Sequence, residues 1–138
     1  MKRWVAAILA GLVAGGATGA AELDAPSPEL AKAIEGHVAG TPTDCIDSHQ
    51  LMGPDRVDQR HLVYRQNGRR LWVNTLRDRC QPLLGDNILV FDNQFGTQLC
   101  TQDRFQVQGR NGGFSAAYCF LGKFTPYDKP EAVPPKTP

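Results

Sequence analysis

Four cysteines constrain the fold of this chain more than any other feature of its sequence. They are even in number and widely spaced, at Cys45, Cys80, Cys100 and Cys119. No C-x-x-C pair occurs, so a zinc knuckle and a thioredoxin-like redox pair both lack their local geometry. The spacing favours two disulfides that hold a small domain together. We expect no metal and no cofactor.

The first twenty residues predict export. A start with two basic residues precedes an apolar stretch over 4–13, and small residues follow to Ala20 and Ala21. This is the layout of a secretory signal peptide cleaved after Ala20 or Ala21. The apolar stretch is too short to cross about 30 Å of hydrocarbon. We therefore expect a periplasmic or secreted protein without a transmembrane span in its mature form, in a compartment where disulfides form.

Removal of the signal peptide leaves the chain close to neutral. The chain has 15 Lys and Arg against 14 Asp and Glu, and Lys2 and Arg3 belong to the signal peptide, so 13 basic residues then face 14 acidic ones. A chain of this charge is not drawn as a whole to nucleic acid or to an acidic membrane. We expect no nucleic-acid partner.

The chain divides into four predicted segments. A signal peptide (1–20) precedes a short helix with a linker (21–43), and a β domain (44–127) follows. The last segment (128–138) is rich in proline and has little to bury, which is typical of a disordered tail.

A short helix is predicted before the β domain. Ser27 can cap it, Pro28 suits its first turn, and Glu29 interacts favourably with the helix dipole. An apolar stripe follows at intervals of four residues and ends near 36–40. The stripe consists of Leu30, Ile34 and Val38.

The stretch from His61 to Asn74 predicts a β-hairpin. Asn67-Gly68 between alternating runs is typical of a two-residue turn, which pairs Gln66 with Arg69 and His61 with Asn74. The face expected on the core carries Leu62, Tyr64, Leu71 and Val73. The opposite face carries His61, Val63, Arg65, Arg70, Trp72 and Asn74.

Further strands follow the hairpin. Residues 87–91 predict a buried strand, 97–108 alternate, and 117–121 return after a turn at Asn111-Gly112-Gly113. We therefore predict a mostly β fold: a small antiparallel sheet, or a curled sheet or partial barrel, of about five or six strands. One short N-terminal helix precedes it, and disulfides staple it.

The last turn suggests a disulfide pairing. Four cysteines allow three pairings, and spacing alone does not choose among them. If Asn111-Gly112 lies at the centre of a hairpin, Cys100 and Cys119 come close to facing one another. This interpretation predicts the pairs Cys100–Cys119 and Cys45–Cys80.

Several short motifs occur together in a fixed order. They are Cys45-Ile46-Asp47, Asn74-Thr75-Leu76, Arg79-Cys80-Gln81-Pro82, Leu99-Cys100 with Asp103, and Cys119-x-Leu121-Gly122-x-Phe124-x-Pro126. This order resembles a family of short exported proteobacterial proteins that is catalogued as a domain of unknown function. The resemblance spans about residues 44–126 and implies the compartment and the four-cysteine frame. It implies no activity.

The usual catalytic and metal-binding patterns are weak. His37, His49 and His61 have no partner at metal-ligand spacing, which favours three exposed histidines. Asp47-Ser48-His49 are adjacent, whereas the members of a catalytic triad are normally brought together by the fold; turn chemistry explains them better. Solvated loop positions are expected for the acids Asp78, Asp86, Asp92 and Asp103.

The outer hairpin face is the one candidate binding surface. Arg65 and Arg70 are predicted cross-strand neighbours, with Trp72 beside them and His61 and Asn74 beyond. Arginine next to an exposed tryptophan suits a carboxylate, phosphate or sugar-acid ligand. The interpretation that we favour is simpler: the N-terminal helix covers this face and the arginines keep an edge in solvent.

We predict a non-enzymatic binding or interaction module of the cell envelope, whose partner is an anionic ligand or another envelope protein. The alternative is a small periplasmic hydrolase with histidine and aspartate on its loops. A third interpretation is a structural accessory of the envelope. A pocket that joins His61 or His49 to an aspartate would favour the hydrolase, and a flat Arg/Trp surface would favour binding.

Overall fold

The computed structural model describes residues 25–92, 96–111 and 118–131. Within them the chain forms one short α-helix and ten strands in three antiparallel sheets. The predicted mostly β fold with one short helix and two disulfides is confirmed. The strands outnumber the expected five or six because several have only two or three residues. The predicted signal peptide, the predicted turn at Gly112-Gly113 and the end of the predicted tail lie outside the described residues.

The elements follow one another in short steps. Helix α1 comprises Pro28–Ala33, and 3-10 turns occupy Ser48–Gln50 and Gln81–Leu83. The strands are β1 Val38–Ala39, β2 Cys45–Asp47, β3 Met52–Arg56, β4 His61–Arg65, β5 Arg70–Thr75, β6 Asn87–Asp92, β7 Gln98–Cys100, β8 Arg104–Gly109, β9 Tyr118–Phe120 and β10 Phe124–Asp128. The five-stranded sheet has the order β1-β10-β5-β4-β3, the second sheet is β2-β7, and the third is β6-β8-β9.

Helix α1 begins where the sequence predicts. The Ser27 hydroxyl accepts a hydrogen bond from the Leu30 amide at 3.1 Å, and Pro28 occupies the first turn. The helix ends at Ala33, before Gly36 takes a positive φ of 73° and turns the chain. Val38 therefore lies in β1 and is 62% exposed. The prediction that the apolar stripe continues on the helix to Val38 is therefore wrong. Leu30 is the buried residue of the helix.

The hairpin forms, but its predicted register is wrong by one residue. Val63 pairs with Val73, and the Gln66 amide donates to the Arg70 carbonyl at 3.1 Å, so the loop has three residues. The side chain of Asn67 explains the difference, because its oxygen accepts from the amides of Arg69 and Arg70 at 2.9 Å each. That side-chain turn competes with the positive φ angles of a two-residue loop.

The shifted register divides the predicted core residues between two faces, and both faces are buried. Leu62 and Tyr64 join the main core, and Leu71 and Val73 pack on the other side with Val63 and helix α1. A one-residue slip moves side chains to the opposite face. All four predicted core residues are therefore buried, but the predicted division of the hairpin into a core face and an outer face is wrong: the helix covers Val63, as expected, whereas Trp72 packs against the main core.

The main core lies where the three sheets meet. Phe105 and Phe124 are both fully buried in it. Its buried members are Ile46, Leu62, Tyr64, Leu76, Cys80, Leu83, Leu99, Phe105, Val107, Leu121 and Phe124. Strand β6 forms as predicted but is not a buried strand, because Ile88 and Val90 are each 43% exposed.

The predicted disulfide pairing is wrong. The bonds are Cys45–Cys100 and Cys80–Cys119. Pairing of β2 with β7 places Cys45 directly opposite Cys100. The alternating stretch 97–108 is not one strand: the chain turns at 101–103, so β9 pairs with β8 and Cys119 faces Phe105. Cys119 is bonded to Cys80 instead.

Candidate functional site

The two arginines of the predicted binding surface have separate acidic partners. Arg65 contacts Asp55, with 2.7 Å between Nη2 and Oδ2. Arg70 contacts Asp128, with 2.7 Å between Nε and Oδ1. The hydrogen bond that Arg70 donates to the Asp128 carboxylate is the main reason that the pKa of Arg70 is raised. In the observed register Arg65 faces Leu71 rather than Arg70. The predicted like-charge pair is therefore wrong.

Trp72 and Asn74 are held by structural contacts. The Trp72 ring is half-buried against the main core, donates from Nε1 to Gln66 at 2.8 Å, and lies 5.6 Å from the Arg70 guanidinium. Asn74 is fully buried, and its Nδ2 donates to the Gly122 carbonyl at 2.7 Å. The structure thus brings Arg70 and Trp72 together, and it gives Asn74 a role in packing.

His61 belongs to a cleft beside helix α1. This cleft has a volume of about 450 Å³ and lies between the start of α1, the turn from β3 to β4, and the segment before the Gln81–Leu83 turn. The side chains that bring chemistry to its lining are Ser27, Glu29, Asp58, Arg60, His61 and Arg79. We call it the α1 cleft.

Asp58 organises the α1 cleft. Its Oδ1 accepts from the amides of Arg60 and His61 at 2.7 and 2.8 Å, which shapes the turn into β4. Its Oδ2 accepts from the Ser27 hydroxyl and lies 2.8 Å from Nδ1 of His61. The same carboxylate therefore ties helix α1 to the hairpin and fixes the imidazole ring. Since Nδ1 faces the carboxylate, Nε2 of His61 is the ring nitrogen left for a ligand.

The pKa of Asp58 lies below its ordinary value. Burial alone would raise this pKa, but the hydrogen bonds from Ser27, from His61 and from the Arg60 amide together outweigh it. Asp58 is therefore a carboxylate whose negative charge is largely satisfied within the protein. Its contribution to the field in the cleft is correspondingly reduced.

Two arginines add positive charge to the α1 cleft. Nε of Arg60 is buried and has no hydrogen-bond partner among the described residues. Arg79 is exposed and precedes Cys80. The Cys80 amide donates a hydrogen bond to the Gln59 carbonyl at 2.8 Å, and this bond and the disulfide of Cys80 fix the backbone there. Glu29 lies in the exposed first turn of α1 and is the opposing acid in the lining.

The arrangement of Ser27, Asp58 and His61 is not a serine-hydrolase relay. In that relay the histidine accepts the proton of the serine. Here the Ser27 hydroxyl donates to Asp58 instead. Among the described residues, no histidine accepts a hydrogen bond from the Ser27 hydroxyl. What the group can do is present Nε2 of His61, as a hydrogen-bonding atom or as a base for a water molecule, toward a bound molecule.

Sequence reasoning missed the partners of His61. Asp58 stands three residues before it, and an Asp at the start of a turn that caps the next amides is a recognisable local signal. Ser27 is 31 residues from Asp58, and Arg79 reaches the cleft through the fold. Neither of those contacts has a local signal in the sequence.

The other sequence candidates serve local structure. Asp47 accepts from the His49 amide at 2.9 Å, and the Ser48 hydroxyl donates to the Thr97 carbonyl at 2.6 Å, as turn chemistry predicts. Asp103 is buried and accepts from the Cys100 amide. The exposed acids Asp78, Asp86 and Asp92 pair with Arg77, Arg110 and Arg104. In the residues that the structure describes, no group of three or more His, Cys, Asp or Glu forms a candidate metal site.

A second surface lies on the third sheet. Its outer face exposes four large apolar side chains, and we call it the open sheet face. Arg104 lies 4.5 Å over the ring of Tyr118, and Arg77 lies 5.6 Å over the ring of Phe120. The apolar members are Ile88, Val90, Tyr118 and Phe120. This face combines arginine with aromatic rings, as the sequence had suggested for the hairpin.

No family model, curated protein or solved structure matches the chain. The fold and the α1 cleft are therefore the basis for an inference about function. Over the described ranges, no helix is both long enough and apolar enough to span a membrane.

Proposed function

We propose that this protein is an exported binding module whose α1 cleft holds a small anionic ligand, a carboxylate or a phosphate. The observation that carries the proposal is the position of Arg60, which lines a cleft of about 450 Å³ and whose buried Nε has no hydrogen-bond partner among the described residues. A guanidinium group without an acidic partner favours an oxyanion nearby, because arginine forms strong charge-assisted hydrogen bonds with carboxylates and phosphates.

The neighbouring groups support the same ligand class. Arg79 adds a second guanidinium, and Nε2 of His61 adds a third atom that can hydrogen-bond. The charge of Asp58 is met by four donors. Glu29 sits at the exposed rim, where water screens it.

The two disulfides support export, because such bonds persist in oxidising compartments. Cleavage after Ala20 or Ala21 and a periplasmic or secreted location are part of this proposal. N-terminal sequencing of the mature protein tests them, and a mature form that begins at Met1 would overturn them. Membership of the exported family that the motifs resemble stays a prediction.

Calorimetric titration of the disulfide-bonded protein with inorganic phosphate and with small mono- and dicarboxylates tests the ligand class. Charge-assisted hydrogen bonds contribute about 1.5–3 kcal/mol each, so Arg60→Gln should weaken binding by about ten-fold or more. Arg79→Gln should weaken it less, because Arg79 is exposed. Arg65→Gln is the matched control, since Arg65 pairs with Asp55 outside the cleft.

Affinity that is unchanged in Arg60→Gln, or that falls equally in Arg65→Gln, would overturn the assignment of the α1 cleft. Absence of binding by every anion tested would overturn the ligand class. Binding should also weaken as salt is added, since part of the attraction comes from exposed charge.

A second candidate function follows from the His61–Asp58 contact. A histidine whose Nδ1 faces a carboxylate can act through Nε2 as a general base toward water. The pocket that joins His61 to an aspartate is the feature that favours a small hydrolase. Assays with simple carboxylic and phosphate esters test it: His61→Gln should abolish turnover, and His49→Gln, an exposed turn residue, should keep it. Turnover no faster than in buffer would reject this candidate.

A further inference from the structure

Three polar side chains in the wall of the α1 cleft already have hydrogen-bond partners within the protein. The Ser27 hydroxyl donates to Asp58, and Asp58 also accepts from two backbone amides. The side-chain amide of Gln59 donates to the side chain of Gln81 at 3.2 Å. These groups offer little to the hydroxyl groups of a sugar or to a second polar end of a ligand, because a new hydrogen bond would replace an existing one.

The charges in the lining favour a ligand with a single negative charge. Arg60 and Arg79 form no ion pair among the described residues, so both can take part in binding an oxyanion. Glu29 and Asp58 lie in the same lining, so two basic groups face two acidic ones when His61 is counted as neutral. A phosphate monoester carries about 1.5 to 2 negative charges at neutral pH, and a monocarboxylate carries only one. The two acids therefore disfavour a phosphate or a dicarboxylate more than a monocarboxylate.

The rest of the lining is apolar and comes from Ala25, Val57 and Leu84. Val57 packs against the cluster under α1. Leu84 is 47% exposed, and its backbone is held in place because the Asn87 side-chain amide donates to the carbonyls of Pro82 and Leu84 at 3.0 and 3.4 Å. Binding sites for small molecules commonly combine apolar walls with a few polar groups that orient the ligand. The apolar wall of the cleft suits the hydrocarbon part of a ligand.

We infer, on the basis of the proposed anion-binding function, that the ligand of the α1 cleft is a monocarboxylate with a short aliphatic chain. The carboxylate pairs with Arg60 and Arg79, and the chain lies along Val57 and Leu84. The cleft has a volume of about 450 Å³, and about 150 Å³ is enough for a benzene ring, so a chain of about six carbons fits. The cleft is open to solvent on one side, so the chain is only partly buried.

Acetate, butyrate and hexanoate are the probes that test the chain, because they share the carboxylate and differ only in length. NMR titration of the isotope-labelled, disulfide-bonded protein at constant ionic strength measures their affinities. Full burial of one methylene group strengthens binding about four-fold, and partial burial in an open cleft about two-fold. Hexanoate should therefore bind about ten-fold more tightly than acetate. It should also bind more tightly than inorganic phosphate and than hexanol, which has the chain without the carboxylate.

Leu84→Thr tests the apolar wall. The gain in affinity from acetate to hexanoate should shrink by about two-fold or more in this variant, because hydrocarbon contact is lost. The variant should fold, since Leu84 is exposed and has an extended backbone that suits threonine. Ile88→Thr is the matched control. Ile88 is exposed to a similar degree, at 43%, and lies outside the cleft, so this variant should keep the full gain.

Three results would overturn the inference and leave anion binding by the cleft intact: equal affinity for acetate and hexanoate, an unchanged gain in Leu84→Thr, or tighter binding of phosphate than of hexanoate. Hexanol that binds as tightly as hexanoate would overturn it as well, because the carboxylate would then play no part. If none of the anions binds, the proposed function fails, and the inference fails with it.

Discussion

The β4–β5 hairpin and the β6-β8-β9 sheet are both antiparallel, yet they differ in how many of their faces are covered. The hairpin is buried on both faces: Leu62 and Tyr64 lie in the main core, and Val63 lies under α1. The third sheet is buried on one face only, and Ile88 and Val90 remain 43% exposed on the other. The difference comes from what packs on each element, because both carry consecutive apolar residues.

Helix α1 covers the second face of the hairpin. The hydrogen bond from the Ser27 hydroxyl to Asp58 holds the helix in this position. Within the described residues no comparable element packs on Ile88 and Val90. Burial of a strand is therefore a tertiary property here. A run of apolar residues sets how much burial is possible, and the neighbouring elements set how much occurs.

Loss of a disulfide should give the largest change in the free energy of unfolding. Cys80–Cys119 joins the segment after the hairpin to the third sheet, with a sequence separation of 39. Replacing both cysteines by alanine should lower the free energy of unfolding by about 4 kcal/mol on loop-closure grounds. Urea denaturation measures this loss. Loss of Cys45–Cys100, with a separation of 55, should cost a similar amount.

Peptide mapping under non-reducing conditions is the control for that experiment. It should recover peptides linked through Cys45–Cys100 and Cys80–Cys119. Peptides linked through Cys45–Cys80 or Cys100–Cys119 would contradict the structure and restore the pairing that the sequence suggested. Full stability in the double variant would show that the third sheet does not depend on this bond.

Two valines test the difference in burial directly. Val63 is 1% exposed in the hairpin, and Val90 is 43% exposed in β6. Val63→Ala should cost about 2 kcal/mol of unfolding free energy, because two buried methyl groups are lost and a small cavity remains. Val90→Ala should stay within about 0.5 kcal/mol of the wild type.

Equal losses in the two valine variants would show that something covers the open sheet face. Repeating the urea titrations at several protein concentrations then separates the explanations. A Val90→Ala effect that grows with concentration would place a second copy of the chain on that face.

The comparison also explains how far the sequence could predict the fold. The Ser27-Pro28 start of α1 and the position of the Asn67 turn have local causes, and both are confirmed. The register failed because one side chain, Asn67, captures the amides of Arg69 and Arg70. The alternation of apolar residues does not choose between a two-residue and a three-residue turn.

The disulfides and the candidate site depended on longer-range contacts. Gln102 takes a positive φ of 80° in the turn that separates β7 from β8, and a non-glycine residue gives little warning of such a turn. His61 was singled out for its place on a hairpin face, while its partner Asp58 lay three residues away. Ser27 and Arg79 come to the cleft through the tertiary fold, since α1 docks beside Asp58 and Arg79 lies next to the disulfide-bonded Cys80.

Acid should weaken the docking of helix α1 on the hairpin. Folding lowers the pKa of Asp58 from 3.8, since its hydrogen bonds outweigh the opposing effect of burial. A carboxyl group with a depressed pKa stabilises the fold above its unfolded pKa, and this stabilisation is lost as the pH falls through the folded pKa. Asp58→Asn should therefore be less stable than the wild type at neutral pH, and the difference should shrink as the pH falls from the unfolded pKa of about 4 through the lower folded pKa.

Urea midpoints measured across this pH range check the acid prediction. Ser27→Ala removes one of the donors to Asp58 and should give an intermediate loss at neutral pH. A difference between Asp58→Asn and the wild type that stays constant into acid would show that the charge of Asp58 does not hold α1 in place.

The smallest effects are expected for two arginines that match each other across the two regions. Arg70 in the hairpin contacts Asp128 and Trp72, and Arg104 in the third sheet contacts Asp92 and Tyr118. Their side chains are 42% and 44% exposed. Ion pairs and arginine–ring contacts this exposed to water contribute little, so both alanine variants should be close to neutral in urea denaturation.

The two arginine variants should differ in stability only if a partner covers the open sheet face. If the open sheet face is in water, the small losses in Arg70→Ala and Arg104→Ala should both shrink as salt is added. If that face is covered by a partner in solution, Arg104 is desolvated, and its loss should be large and insensitive to salt. The Arg70 variant would then still be close to neutral. A salt series on the two variants therefore decides whether the third sheet has one covered face or two.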